Sequence, residues 1–363
     1  IAQCLVGSEM CIRDRTKKIL NFAFIFGTLA IVLLIGVNGQ EVGDAINALK
    51  SVAPKWLIFC ALAYAAFVGS DALSIHYYLR GQGYPVSFPY AVYVSLCGAY
   101  YSNITPGATG GQPMQVYYLT KRDVPIGIGT SALTVKFFCF QFMLMVFSTL
   151  LWLLYGGYVA QQLGSNIWIL ILGYVYNDIS VCLVLLMAVN KRLVWWIIKL
   201  CIRLAVRLHL CKNPDAVMTK CQDVLDTFHS SVMSLRRRPM ELLMQMLLST
   251  VQLLSLMTVT FFIYRAFDLT EAGYWQIITL AVLLYVSAAY TPLPGASGAQ
   301  EGIFALYFSG MFPDGIRLMA LLLWRFFTYY IALIVGAVIT VWRGIRPERK
   351  AGRKTVDTDR STV

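Results

Sequence analysis

The chain has 363 residues, of which 58% are hydrophobic and 13% charged, with a formal net charge of +12 and a mean hydropathy of +0.65. Soluble domains carry about 25% charged residues, whereas here the apolar residues come in blocks of about 20, the length that crosses a bilayer as a helix. A water-soluble enzyme is excluded, and the sequence predicts an all-α polytopic membrane protein.

The first 15 residues, IAQCLVGSEMCIRDR, differ in style from the rest of the chain, and CLVGSEMCIRDR resembles translated sequencing-adapter read-through. They are set apart as an artefact, with the native chain expected to begin near Thr16. Their apolar run is too short for a signal peptide, and charges come directly after it. Six full spans are expected at about 19–37, 56–78, 126–155, 167–189, 240–264 and 316–342. Two more segments, about 86–119 and 275–312, are apolar but broken by Gly and Pro, and are expected to be re-entrant. On this topology 22 Lys and Arg lie inside, ten of them in the loop 190–239 and seven after Trp342. Only Lys50, Lys55, Arg265 and Arg317 lie outside. The positive-inside rule then places both termini in the cytoplasm.

Basic residues at span ends mark orientation and headgroup contacts, so the positive charge calls for no nucleic acid. Within 190–239, Lys199, Arg203 and Arg207 recur every four residues against Trp195, Trp196, Ile197 and Ile198. That pattern predicts a basic amphipathic helix on the inner leaflet. A short polar helix is expected over 213–238, and the charged tail 344–363 is expected to be disordered. Residues 16–343 thus form one integral membrane domain. Nine cysteines make no CxxC pair, and three histidines show no ligand spacing, so neither metal nor cofactor is expected.

A repeat carries the functional signal. Residues 106–112 read Pro-Gly-Ala-Thr-Gly-Gly-Gln and residues 294–300 read Pro-Gly-Ala-Ser-Gly-Ala-Gln, each near a Thr-Pro (Thr105-Pro106, Thr291-Pro292). Gly and Pro at this density end a helix and allow close backbone approach. Backbone freed at membrane depth must line a cavity or be buried in protein. Two related broken segments inserted from opposite faces are the signature of inverted-repeat transporters, and their half-helix N-termini suit an anionic group. The same glycines would also serve plain close packing of helices. The headgroup candidates are therefore Thr105, Gly107, Thr109, Gly110, Gln112 and Gln115 in the first copy. In the second they are Thr291, Gly295, Ser297, Gly298, Gln300 and Glu301.

At these residues, NITPGATGGQPMQVYYLTKR and TPLPGASGAQEGIFALYF resemble the signature loops of the lysylphosphatidylglycerol synthetase/flippase transmembrane family. The resemblance runs from about Ile19 to Arg343 and implies a flippase-like bundle that moves phospholipid or aminoacylated phospholipid between leaflets of a bacterial cell membrane. It also implies a separate cytosolic domain that transfers lysine from lysyl-tRNA to phosphatidylglycerol, for which no sequence is expected within this chain. Many relatives carry an acidic-then-basic pair in the first loop where this chain has Gln112 and Gln115, so their headgroup charge preference is not carried over.

Charges at membrane depth are costly and mark function by default. Asp71, Lys136, Asp178, Glu301 and Arg325 are such charges, with Glu301 and Arg325 expected to form a buried pair or the two poles of a headgroup site. Asp71 and Lys136 are expected to pair structurally across helices, and Asp178 to face a polar seam. No nucleophile constellation and no GxxxxGK[ST] motif appears, so no catalytic residue is assigned and ATP hydrolysis is not expected. The expected partner is membrane phospholipid, with a cytosolic aminoacyl transferase or lipid-modifying enzyme acting in trans and a homo-oligomer as further partners. Two other readings stand beside the flippase: the membrane component of a lysyltransferase, and a small-anion permease.

Overall fold

A computed structural model describes residues 47–207, 214–235, 238–289 and 291–345. The leader 1–15, the expected span 19–37 and the tail beyond 345 lie outside the described residues.

Those described are helical, with no strand among them. After a helical stretch at 47–51, the described residues form, in order, α1 (Pro54–Gly81), α2 (Phe88–Ile104), α3 (Gly111–Thr120), α4 (Ile126–Leu163), α5 (Ile167–Val189), α6 (Lys191–Arg207), α7 (Pro214–Leu235), α8 (Pro239–Ala266), α9 (Tyr274–Ala288), α10 (Ala299–Tyr307), α11 (Asp314–Arg325) and α12 (Ile331–Ile345). Proline opens α1 and α8, where its missing N–H costs nothing, and Arg80 and Arg265 close their last turns.

Among the described residues, four helical runs are long and apolar enough to cross a membrane: Pro54–Gly81, Ile126–Leu183, Pro239–Ala266 and Asp314–Thr340. The second, at 58 residues, far exceeds one crossing. It divides at Gly164, whose φ of 52° suits the chain reversal, and α5 folds back along α4. Gln141 Nε2 of α4 donates to Asn177 Oδ1 of α5 at 2.9 Å. Apolar side chains also cover the outside of the bundle, with Leu153 75% and Ile58 63% exposed. Such residues are at rest in lipid and costly in water.

Helices α1 and α8 pack antiparallel in constant register. Ala53 N–H donates to Ala266 O at 2.9 Å, Cys60 meets Val259 O, Ser74 meets Gln245, and Arg238 reaches Gly81 O. Around this pair lie two main cores. One gathers residues of α1 to α4, including Ile75, Tyr90, Leu119 and Leu133. The other gathers α8 to α11, including Ile263, Leu283, Phe304 and Trp324. Each broken segment thus sits in its own core. The predicted amphipathic and polar helices are α6 and α7, and α7 docks on the start of α4.

Helix α5 lies so close to α9 that a Cβ on Gly173 would stand 2.5 Å from Val286 O and 2.7 Å from Ser287 Cα. Backbone cannot yield as a flexible side chain can. Gly173→Leu is therefore expected to cost about 1–3 kcal/mol through overpacking and lower the melting temperature in detergent. Gly157→Leu, on α4 with nothing within 4 Å, should leave it unchanged.

Candidate functional site

The two repeat copies fold alike where their sequences coincide. Helix α2 ends at Ile104, Pro106–Ala108 make one 3-10 turn, and α3 departs from Gly111. Helix α9 ends at Ala288, Pro294–Ala296 make the matching turn, and α10 departs from Ala299. Gly107 has φ 59° and ψ 24°, and Gly295 has φ 59° and ψ 18°. Each is followed by an alanine also held left-handed, Ala108 at φ 56° and Ala296 at φ 48°. For a residue with a Cβ that conformation costs roughly 1–2 kcal/mol, and strain of this kind gathers at functional sites.

These turns touch. Gly107 N–H donates to Pro292 O at 2.9 Å, and Tyr329 OH donates to Asn103 O at 3.4 Å. After the turns the copies diverge. Thr109 and Gly110 stay near helical angles, while Ser297 is extended and Gly298 has φ 87°. The Thr-Pro pairs are not equivalent either: Thr105 directly precedes its turn, whereas Thr291 stands three residues ahead of Pro294. Thr105 Oγ1 donates to Tyr101 O at 2.7 Å and accepts from Gly110 N–H at 2.9 Å, a local cap.

The second turn is held by Arg325. Its Nε donates to Glu301 Oε1 at 2.7 Å, and its Nη1 donates to Gln300 Oε1 at 2.7 Å and to Gly295 O at 3.3 Å. Arg325 is 2% exposed and Glu301 3%. Glu301 Oε2 accepts from Gly298 N–H at 2.7 Å, so the carboxylate caps its own helix while pairing with the arginine, as favoured at a helix N-terminus. Trp324 and Tyr329 flank the guanidinium, with ring centroids 5.4 and 5.3 Å from its carbon. Arg325 Nη2 in this clamp, and Thr291 Oγ1 in the segment that leads to the turn, are buried with no hydrogen-bond partner among the described residues. Buried donors without partners cost about 1–3 kcal/mol each, and such groups are what a polar ligand satisfies.

Of the predicted site residues, the structure therefore brings together Gly295, Gln300, Glu301 and Arg325, sets Ser297 in the same turn, and joins Gly107 to the second copy. Thr109 is exposed and bonds Pro106 O locally. Gln112 faces outward, while Gln115 is buried in the first core, its Nε2 donating to Val94 O at 3.4 Å. Asp71 and Lys136 pair at 2.8 Å, as expected, away from the turns. Asn177 takes the polar seam with Gln141, and Asp178, one residue and about 100° further around the helix, is exposed. Tyr329 and Trp324 had no sequence signal, and Asn103, which opens the first quoted signature, was not among the candidates. Tyr329 belongs to a π-helical stretch, Phe326–Tyr330, a bulge frequent at functional sites, and it packs over Gly295 so closely that no Cβ would fit there.

Residues 19–336 of the chain match the family described as Lysylphosphatidylglycerol synthase TM region. No curated protein gives a match.

Removing one member of a buried pair strands the other charge, at about 3–5 kcal/mol. Arg325→Met is expected to lose stability of that order, and adding Glu301→Leu to recover only part of it, because Gly295 O, the Gln300 side chain and Gly298 N–H then lack their partners. Chemical unfolding of the single and double variants in detergent measures the difference.

Proposed function

We propose, for a chain that belongs to the lysylphosphatidylglycerol synthase transmembrane-region family, that this multi-pass membrane protein moves phospholipid, including aminoacylated phospholipid, between leaflets of a bacterial cell membrane. On this reading the broken segments α2–α3 and α9–α10 form an inverted pair entering from opposite faces, with both termini cytoplasmic. The lipid headgroup binds where their turns meet, and the tails stay in the bilayer.

The observation that carries the proposal is the contact of two like-shaped turns beside a buried arginine whose Nη2 is unused. A phosphodiester offers acceptor oxygens, to which Arg325 Nη2 can donate. Glu301 already neutralises Arg325, so binding selects for hydrogen-bonding geometry more than for net charge. An amine on the headgroup, as in a lysyl ester, would compete with Arg325 for the Glu301 carboxylate. The donor set therefore suits zwitterionic and aminoacylated headgroups as well as simple phosphate.

The test is exchange of a fluorescent phospholipid in proteoliposomes, read by quenching from outside. Arg325→Ala and Glu301→Gln are each expected to slow exchange at least about tenfold, the loss equivalent to one charge-assisted hydrogen bond. Exchange at the wild-type rate in both variants overturns the site. A lysyltransferase supplied in trans would instead appear as tRNA-dependent lipid modification, and a small-anion permease as solute uptake without lipid exchange.

A further inference from the structure

Helix α5 passes into α6 with a single residue between them. Val189 ends α5, Asn190 breaks the helical geometry at φ −101° and ψ 85°, and Lys191 opens α6. The Asn190 side chain starts the new helix, its Oδ1 accepting from Leu193 N–H at 3.1 Å, as a cap does. Most of α5 belongs to an apolar run long enough to cross a membrane. So short a corner means that α6 begins at the level where that crossing ends.

One face of α6 is used by α7. Lys191 Nζ pairs with Asp226 Oδ1 at 2.6 Å, and Ile202 is buried. Helix α7 is itself fixed on α4, where a Cβ on Gly127 would stand 2.6 Å from Thr227 Cβ and 2.8 Å from Val224 O. Another face of α6 is left free. At about 100° per residue, Arg192, Lys199, Arg203 and Arg207 fall in one strip about 80° wide, and all four are exposed. Trp196 lies within the strip and Leu200 beside it, 57% and 38% exposed. Helix α6 has five basic residues and no acid, while α7 has three acids and one lysine. Among the described residues, no carboxylate pairs with the four cations of the strip. Lys199 lies 5.3 Å from the Trp195 ring instead.

We propose that this strip is a docking surface for anionic phospholipid in the leaflet where α5 ends, separate from the headgroup site at the paired turns and independent of what that site does. Trp196 and Leu200 are costly in water and at rest among acyl chains. Lysine and arginine stems lie along such a surface and carry their charges up to the phosphates. A zwitterionic leaflet would accept the apolar side chains and leave four cations without counter-charge. An acidic protein or a nucleic acid would serve the cations and leave Trp196 and Leu200 without lipid. A leaflet of net negative charge satisfies both sets. From Arg192 to Arg207 the strip is about 23 Å long at 1.5 Å per residue, longer than one headgroup. It therefore engages several lipids at once and selects them by charge, whatever the headgroup.

Hydrogen–deuterium exchange of the full chain in nanodiscs tests the docking. Each basic residue near an anionic surface contributes about fivefold in binding. Amide exchange over 191–207 is therefore expected to slow at least about tenfold when phosphatidylglycerol is added to phosphatidylcholine. Phosphatidylserine should slow it equally, because charge is what the strip selects. The neutral variant Lys199→Gln/Arg203→Gln/Arg207→Gln should lose the lipid dependence, and Lys199→Arg/Arg203→Lys/Arg207→Lys should keep it. Amides of α1 and α8 should exchange alike in all these proteins. Exchange over 191–207 that is the same with and without anionic lipid overturns the proposal, and is the result that a soluble acidic partner on the strip would give. A neutral variant that keeps the lipid dependence also overturns it. So does slowing by phosphatidylglycerol but not by phosphatidylserine, which would assign the effect to headgroup recognition elsewhere.

Discussion

Breaking a helix frees backbone groups that must find new partners, and Arg325 is the side chain that supplies them at the second break. Its guanidinium serves the Gly295 carbonyl, the Gln300 side chain and the Glu301 carboxylate at once. Glu301 in turn caps α10 through Gly298 N–H. The desolvation of both charges is offset by these bonds together, since the pair's attraction alone seldom repays it. The first break is smaller in its demands: Thr105 caps Gly110, and Gly107 N–H is satisfied by the second copy. The first turn thus depends on the second, and the second on Arg325.

This dependence explains why strain is placed where it is. Ala108 and Ala296 sit in the same unfavourable conformation in two turns from different halves of the chain, each supported by its own core. A close-packed core is not continuously deformable, so each turn is held in place by the packing of its own segment. The π-helical stretch after Arg325 lets Tyr329 reach both Gly295 and Asn103, linking the last long helical run to both copies. The Asp71–Lys136 pair, with Gln252, ties three other helices.

Much of the architecture was legible because lipid imposes a simple grammar. Apolar runs long enough to span announced α1, α4, α5, α8 and the α11–α12 run, and Gly-Pro clusters announced both breaks. Glu301 and Arg325 stood out because charges within apolar runs are few. What escaped reading was direction and detail. Gln112 and Gln115 are three apart on a short helix, yet one faces outward and the other enters a core. Asp178 is expected to face a polar seam, but Asn177 takes it, and one helical step separates the seam from an exposed face. Tyr329 and Asn103 lie 226 positions apart, and no local pattern announces a contact made through folding. Gln245 and Gln252 are silent in an apolar helix until Ser74 and Asp71 are placed opposite them.

The central claim is that the touching turns and Arg325 make one phospholipid headgroup site. Native mass spectrometry of the protein released from detergent reports it most directly, by counting the lipid that stays bound. The account predicts a phospholipid retained by wild type and lost from both Arg325→Ala and Gly295→Val, variants on the two sides of the clamp. The same lipid retained in equal amount by all three proteins would contradict it.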